Sequence, residues 1–498
     1  MSIVSPNYFY FIFGVSFVAA MTNGTMTYDT YRFLIIIAAQ FVLLFEVSGF
    51  RAPRLSSNHS TVPFLFGFLA LFVLLVSVPS SAKRVEVGFY LVYIWALITV
   101  FAKPMYLTSV THLFKLASAL TYSFACLYVF IAVMIYSASI FEQVHVPRTY
   151  FLPWGFENIR YWSHVATWLL PVMSVALVVY GDTLSQAAKR SMVLVCALWW
   201  WIILLSIARG TMLGLFTGAL AVMVFAPAVV RRDYLKCFFT PFFLGIVLWL
   251  LLEFLIPWLV FGEVAHKSLN TTTSGRIPQW KEAFAMSLQN FPFGMGVQSW
   301  LTHEVITDTY RVRFGHPHNM YLLWAAEYGW LFVASLFAGA MWILRRSFAR
   351  VRGLALNDPK RALILLALLH SFIAACTHAG VSAVFIGPAS LLVGWFVMVA
   401  ILRMTFPVTG DRRDLIGRPV PLWLRGSLAL LLLWSFAAYW DALLDYKRDS
   451  DKDQICYPYM GIPTGNGPRF WLHGDFPRPP SLACDESRIP EDVRRALD

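Results

Sequence analysis

Stretches of roughly 18 or more predominantly apolar residues recur along this chain, and each is long enough, as a helix, to cross a bilayer. Within hydrocarbon every backbone N–H and C=O must find a partner inside the protein, which leaves only helices or a closed barrel. A barrel would show short segments of alternating polarity; the long uninterrupted runs select helices. The expected fold class is therefore all-α: a polytopic helical membrane protein with about 12–13 transmembrane helices. The runs fall near 8–21, 31–50, 62–79, 87–101, 113–136, 161–180, 192–206, 212–230, 238–260, 319–344, 362–377, 381–402 and 422–440. The first is short and the pair after Pro359 is closely spaced, so these could instead be re-entrant or half spans.

Composition agrees. Of 498 residues, 58% are hydrophobic and only 13% charged, against roughly 25% charged in soluble domains. The net charge of +12 is no nucleic-acid footprint, because the basic residues sit in short loops between spans, where they set orientation. Arg51, Arg54, Lys103, Lys189, Arg190, Arg231, Arg232, Lys236, Arg345, Arg346, Lys360, Arg361, Arg403 and Arg412 all fall on one side, which is expected to be cytoplasmic. The loop at 261–318 and the segment after Asp441 then lie on the opposite, non-cytoplasmic side, which in a Gram-negative cell is the periplasm. No Lys or Arg precedes Arg32, so a secretory signal is not expected and the first apolar segment is retained. The chain divides into N-terminal helices at 1–160, a membrane core at 161–440 and a polar tail at 441–498.

The polar chemistry gathers at 273–329. Here Arg276, Lys281, Arg311 and Arg313 accompany His303, His316 and His318 between two apolar runs. Ile277, Trp280, Phe284, Leu288 and Phe291 share one stripe of a helix, predicting an amphipathic helix on the membrane surface with Arg276 at its start; a helix that merely caps the bundle has the same pattern. Pro292, Gly294 and Gly296 end it. His318 and Asn319 stand at the head of the next span, where an imidazole can act as a base. His316 and His318 have H-x-H spacing, yet no cysteine or clustered carboxylate joins them, so a metal site is not expected. Arg209 lies between two spans on the same face, where it is either an interfacial snorkelling residue or a bidentate partner for phosphate oxygens.

Taken in order, these pieces resemble the O-antigen ligase superfamily of integral membrane glycosyltransferases, which also includes O-antigen and exopolysaccharide polymerases and pilin O-oligosaccharyltransferases. The resemblance rests on Arg209 with Leu213 in R-x-x-x-L spacing, on Gly275, Arg276 and Trp280, on Pro292, Gly294 and Gly296, and on His318-Asn319 followed by Gly329. It covers roughly 161–344. Two departures are visible: the glycine segment is one residue tighter than the family pattern, and Phe332 stands where a small or hydroxyl residue is usual.

The resemblance implies a bundle of the C-type glycosyltransferase class in a bacterial inner membrane, with its active site on the periplasmic side. It implies an undecaprenyl-diphosphate-linked glycan donor and an inverting, metal-independent transfer without a cofactor. Arg209 and Arg276 would hold the diphosphate and His318 would activate the acceptor hydroxyl. Arg160, Arg311, Arg313, His316 and Asn319 are further substrate-binding candidates, with His164 and Glu327 behind them, and each has an equally good structural explanation. The first acceptor is lipid A-core, as in lipopolysaccharide biosynthesis; a growing polysaccharide or a protein would use the same site. A transporter is the alternative from another class, but Glu46, Glu253, His370 and His378 are scattered, without an evident repeat.

Of six cysteines, Cys126, Cys196, Cys237 and Cys376 fall in or beside apolar runs and read as core residues. Cys456 and Cys484 lie in the tail. In an oxidising compartment they could pair, closing a loop of about 27 residues worth on the order of 3 kcal/mol; two free thiols in a disordered tail is the other reading.

Overall fold

The computed structural model describes residues 18, 107–144, 156, 159–180, 184–262, 276–296, 299–303, 305–307, 315–407, 421–460 and 485–491. Apart from Val18, the four expected spans before residue 102 lie outside these residues, as do Arg311, Arg313 and Cys484. Among the described residues the chain is helical, without a strand, and six helices are long and apolar enough to cross a membrane. This is a polytopic helical membrane protein.

The helices are α1 (Leu107–Phe141), α2 (Ile159–Tyr180), α3 (Gln186–Ser206), α4 (Arg209–Phe225) and α5 (Ala228–Phe261). They continue with α6 (Arg276–Gln289), α7 (Met320–Tyr328), α8 (Trp330–Asn357), α9 (Pro359–Ala379), α10 (Pro388–Thr405) and α11 (Leu422–Met460). Two helices form the centre. α2 is buried continuously from Trp162 to Ala176, and α9 is buried over nearly its whole length. α9 packs along both α2 and α4. Its approach to α4 is close because a Cβ at Gly214 would collide with the carbonyl of Ala374; small residues let membrane helices meet at backbone distance. Eight residues before His378, His370 occupies the same interface. Its Nε2 donates to the Leu215 carbonyl at 2.8 Å, which leaves Nδ1 to accept from the Tyr234 hydroxyl at 2.8 Å.

The outer helices turn apolar side chains away from the protein. Phe130 and Met134 on α1, Leu220 and Val224 on α4, and Phe243 and Leu259 on α5 are all exposed. So large an apolar exterior is a lipid-facing surface, since water would drive it into aggregation. α5 carries a π segment at Leu251–Leu255, and there the Tyr136 hydroxyl donates to the Leu252 carbonyl at 2.6 Å.

Several helix ends shift from the sequence reading, the 212–230 run ending at Phe225 and the next helix starting already at Ala228, and three further differences change the architecture. The apolar run at 319–344 is two helices, not one span. Gly329 has φ 90° and ψ 165°, a region essentially restricted to glycine, and it separates α7 from α8. The run at 381–402 becomes helical only at Pro388, the first residue of α10, where proline's missing N–H costs nothing. The helix expected at 422–440 runs on to Met460, 39 residues in all, so the first part of the polar tail is an extension of a helix.

Candidate functional site

α2 and α4 begin at one end of the bundle, and α9 finishes there. The chain leaves the bundle at this end to form α6 and returns through α7. α6 carries the site's first cation and is amphipathic in an unexpected sense. Its inner face, against the protein, consists of Gln279, Glu282, Ala283, Met286 and Ser287. Its apolar stripe points outward: Ile277 is 44% exposed, Phe284 49% and Leu288 50%. A helix that buries polar residues and presents aromatics outward is matched to an interfacial position, its apolar side among lipid chains.

Buried polar groups are as a rule hydrogen-bonded; on the inner face of α6 Glu282 and Ser287 follow it, whereas Gln279 Oε1 has no hydrogen-bond partner among the described residues. The Glu282 carboxylate accepts from Ile306 N at 2.7 Å, Thr307 N at 2.8 Å and Thr307 Oγ1 at 2.5 Å. Ser287 Oγ accepts from the Trp330 indole N–H at 3.1 Å. These bonds tie the loop and the start of α8 to α6.

The glycine segment after α6 is packed against the α7–α8 break. Met295 N donates to the Ala326 carbonyl at 2.8 Å and Gly296 N to the Glu327 carbonyl at 2.9 Å. The last carbonyls of α7, which a helix end leaves without intrahelical partners, are thereby satisfied. A Cβ at Gly294 would clash with the Glu327 carbonyl, and one at Gly329 with the Pro292 carbonyl. The glycines of two separate motifs are thus two sides of one backbone contact. Glu327 itself is buried, and its carboxylate accepts from Trp300 N at 3.3 Å.

α7 is capped at its start. Asn319 Oδ1 accepts from Tyr321 N at 3.0 Å and Leu322 N at 3.1 Å, so the residue beside His318 works as an N-cap. His318 has φ 56°, the left-handed region that costs a non-glycine residue of order 1 kcal/mol. The turn is held by His316, whose Nδ1 accepts from His318 N at 3.0 Å. The two rings meet edge to face with centroids 4.3 Å apart. His316 is buried and His318 partly exposed.

Electrostatics joins these residues to the bundle. The His318 pKa is lowered from 6.5 to about 4, first by burial and then by Arg276 and Arg160. Arg276, half-buried, has its pKa lowered by burial, then by Arg160 and Arg209; it remains a cation, as arginine does in proteins. Arg160 and Arg209 are exposed. Arg160 and Arg209 therefore act on Arg276 beside an imidazole that is neutral at pH 7. Such a place is suited to an anion with several oxygens and to a group that must lose a proton.

Of the residues expected from sequence, Arg160, Arg209, Arg276, His316, His318 and Asn319 come together here. Arg311 and Arg313 lie outside the described residues. Two further histidines join the cluster from below. His164 and His378 are 2% and 3% exposed, with ring centroids 5.0 Å apart. His378 reads as a stray intramembrane residue in the sequence; the signal for it is that α9 ends on the face where Arg209 starts α4. Among the described residues no group of three or more His, Cys, Asp or Glu side chains is arranged to hold a metal ion. In the tail, Cys456 is disulfide-bonded, whereas Cys126, Cys196, Cys237 and Cys376 are free.

A search of curated proteins found no match. The central part of the chain, from α3 through the loop and α7 into α8, does have a counterpart: residues 192–337 match the family model of the O-antigen ligases.

Proposed function

We propose that this protein is a membrane glycosyltransferase that moves a glycan from an undecaprenyl-diphosphate-linked donor to an acceptor hydroxyl on the periplasmic face of a bacterial inner membrane. O-antigen ligation to lipid A-core is the specific reaction we favour. The observation that carries the reading is the gathering of Arg160, Arg209 and Arg276 around His318, most of it within the stretch that matches the O-antigen ligase family.

Each group has a task that follows from its chemistry. Attack at the anomeric carbon breaks the bond to the lipid diphosphate, on which negative charge grows. Fixed guanidinium groups stabilise that charge more in the transition state than in the ground state. A single displacement inverts the anomeric centre. His318 takes the acceptor proton. A pKa of about 4 keeps it deprotonated but weakly basic while the arginines face it alone. A bound diphosphate offsets their charge, so the basicity of His318 rises when the donor is in place. The outward apolar face of α6, with Ile277, Phe284 and Leu288 exposed, offers a surface along which the lipid chain of such a donor would run.

The test is transfer from a purified lipid-linked glycan by protein in liposomes. His318→Ala is expected to lower the rate by about 10²–10⁴-fold, the usual contribution of a general base. Arg209→Ala and Arg276→Ala should each impair use of the donor, with Arg209→Lys restoring part, because lysine retains the charge without the planar fork. Chelator should leave the wild-type rate unchanged. Full activity in both alanine variants at normal membrane levels would remove the diphosphate clamp.

A further inference from the structure

Beneath the arginines a polar chain crosses the bundle. It starts at Ser382, in the connection between α9 and α10, whose Oγ lies 2.7 Å from His164 Nε2. His164 packs edge to face against His378. His378 Nδ1 lies 2.9 Å from Thr167 Oγ1, which also contacts Thr211 Oγ1 at 3.2 Å. Both threonine hydroxyls reach the Ser163 carbonyl, at 2.8 and 3.0 Å. The chain thus links α2, α4, α9 and the α9–α10 connection.

Its members are in register with the cations above. His164 is one turn after Arg160 on α2, and Thr167 follows on the same face. Thr211 is two residues after Arg209. Between them, Gly210 lies directly under the His378 ring: a Cβ there would be 2.5 Å from Cδ2 and 2.6 Å from Nε2. The first turn of α4 has no side-chain cap, so its orientation depends on such contacts with other helices.

Packing alone does not account for these imidazoles. Among the described residues His164 Nδ1 is buried without a hydrogen-bond partner, a cost that an apolar side chain of similar size would not carry. We propose that His164 and His378 are positioning residues, which hold the first turns of α2 and α4 in one arrangement so that Arg160 and Arg209 converge on the same anionic group. The inference rests on the diphosphate-binding role given to these arginines above.

The experiment is a double-mutant cycle on full-length protein in nanodiscs, read by binding of undecaprenyl diphosphate and by glycan transfer. His378→Phe retains the ring and loses the nitrogens. In the wild-type background it is expected to weaken binding about 10-fold and lower kcat about 10–100-fold, the scale of a misplacement near 1 Å. In an Arg209→Ala background it should change either quantity less than about twofold, because its effect passes through Arg209. Thr211→Val, which breaks the chain without touching an imidazole, should show the same dependence and serves if the phenylalanine variant fails to fold. Equal factors in both backgrounds, or wild-type binding and turnover in both variants, would overturn the inference. A wild-type protein that binds the probe but transfers no glycan overturns only the transferase reading, and the binding cycle still decides the positioning role. A wild-type protein that does not bind the probe overturns both.

Discussion

Replacing Arg276 with glutamine should shift the acid limb of kcat/KM to higher pH. A base works only when deprotonated, so activity rises as pH passes upward through the pKa of His318 and is flat beyond it. In the wild type that pKa is about 4, displaced from 6.5. At 1.36 kcal/mol per pH unit the displacement represents about 3 kcal/mol in favour of the neutral imidazole. Burial is the largest cause, followed by Arg276 and then Arg160, so Arg276 alone supplies less than half. Removing one cation should therefore raise the acid-limb midpoint by about half a unit to one unit, while lowering the plateau through the weaker grip on the donor. The assay is initial-rate transfer at low donor concentration, each variant scaled to its own plateau. Under saturating donor the two profiles should converge, because the bound diphosphate has offset the cations in both. A wild-type midpoint near 6.5, or a limb that stays in place in the Arg276→Gln variant, would refute the electrostatic account. An unchanged limb in the residual activity of His318→Ala would assign the titration to another group.

Three further outcomes follow from the geometry. Gly294→Ala drives a Cβ into the backbone of Glu327, which cannot yield as a side-chain tip can; α7 and His318 should shift together and transfer should fall about 10²-fold in protein whose helical content is unchanged by circular dichroism. His316→Ala removes the acceptor that holds the His318 turn and should cost about 10-fold, less than His318→Ala, with partial recovery in His316→Asn, whose amide oxygen can take the same bond; an inactive His316 variant beside an active His318 variant would reverse the roles. Reporter fusions after Arg276 and after Lys452 should both report the non-cytoplasmic side, and a cytoplasmic signal from either would end the case for a periplasmic site.

The Pro292–Gly296 segment shows where reading the chain alone was sufficient and where it stopped. Its residues announce the end of an amphipathic helix, because proline and glycine act locally. Nothing local says that the segment will satisfy the carbonyls of Ala326 and Glu327, some thirty residues on (about eight turns of helix), or that a continuous apolar run must break at Gly329 to receive it. Asn319 is similar: the chain alone places it beside His318 at the head of an apolar run, and only the fold shows its Oδ1 accepting from the first backbone N–H groups of α7. The expected end of α11 fell short for the opposite reason, since charged residues after Trp440 end an apolar run without ending a helix.

What the sequence determined by itself is the all-helical membrane architecture, the amphipathic character of α6, and the presence of Arg209, Arg276 and His318 on one face. Run length, helical periodicity and alternation of loops across a bilayer are sufficient for these, because each depends on residues near one another in the chain. What only the tertiary structure decided is which way the polar and apolar sides of α6 turn, how two glycine motifs become one contact, and that His164 and His378 lie together under the arginines. Those outcomes depend on contacts such as His164 with Ser382, 218 positions apart. Helices buried in a bundle are chosen by packing and by the need to satisfy every polar group away from water, and a pattern read along one segment carries no record of its partner.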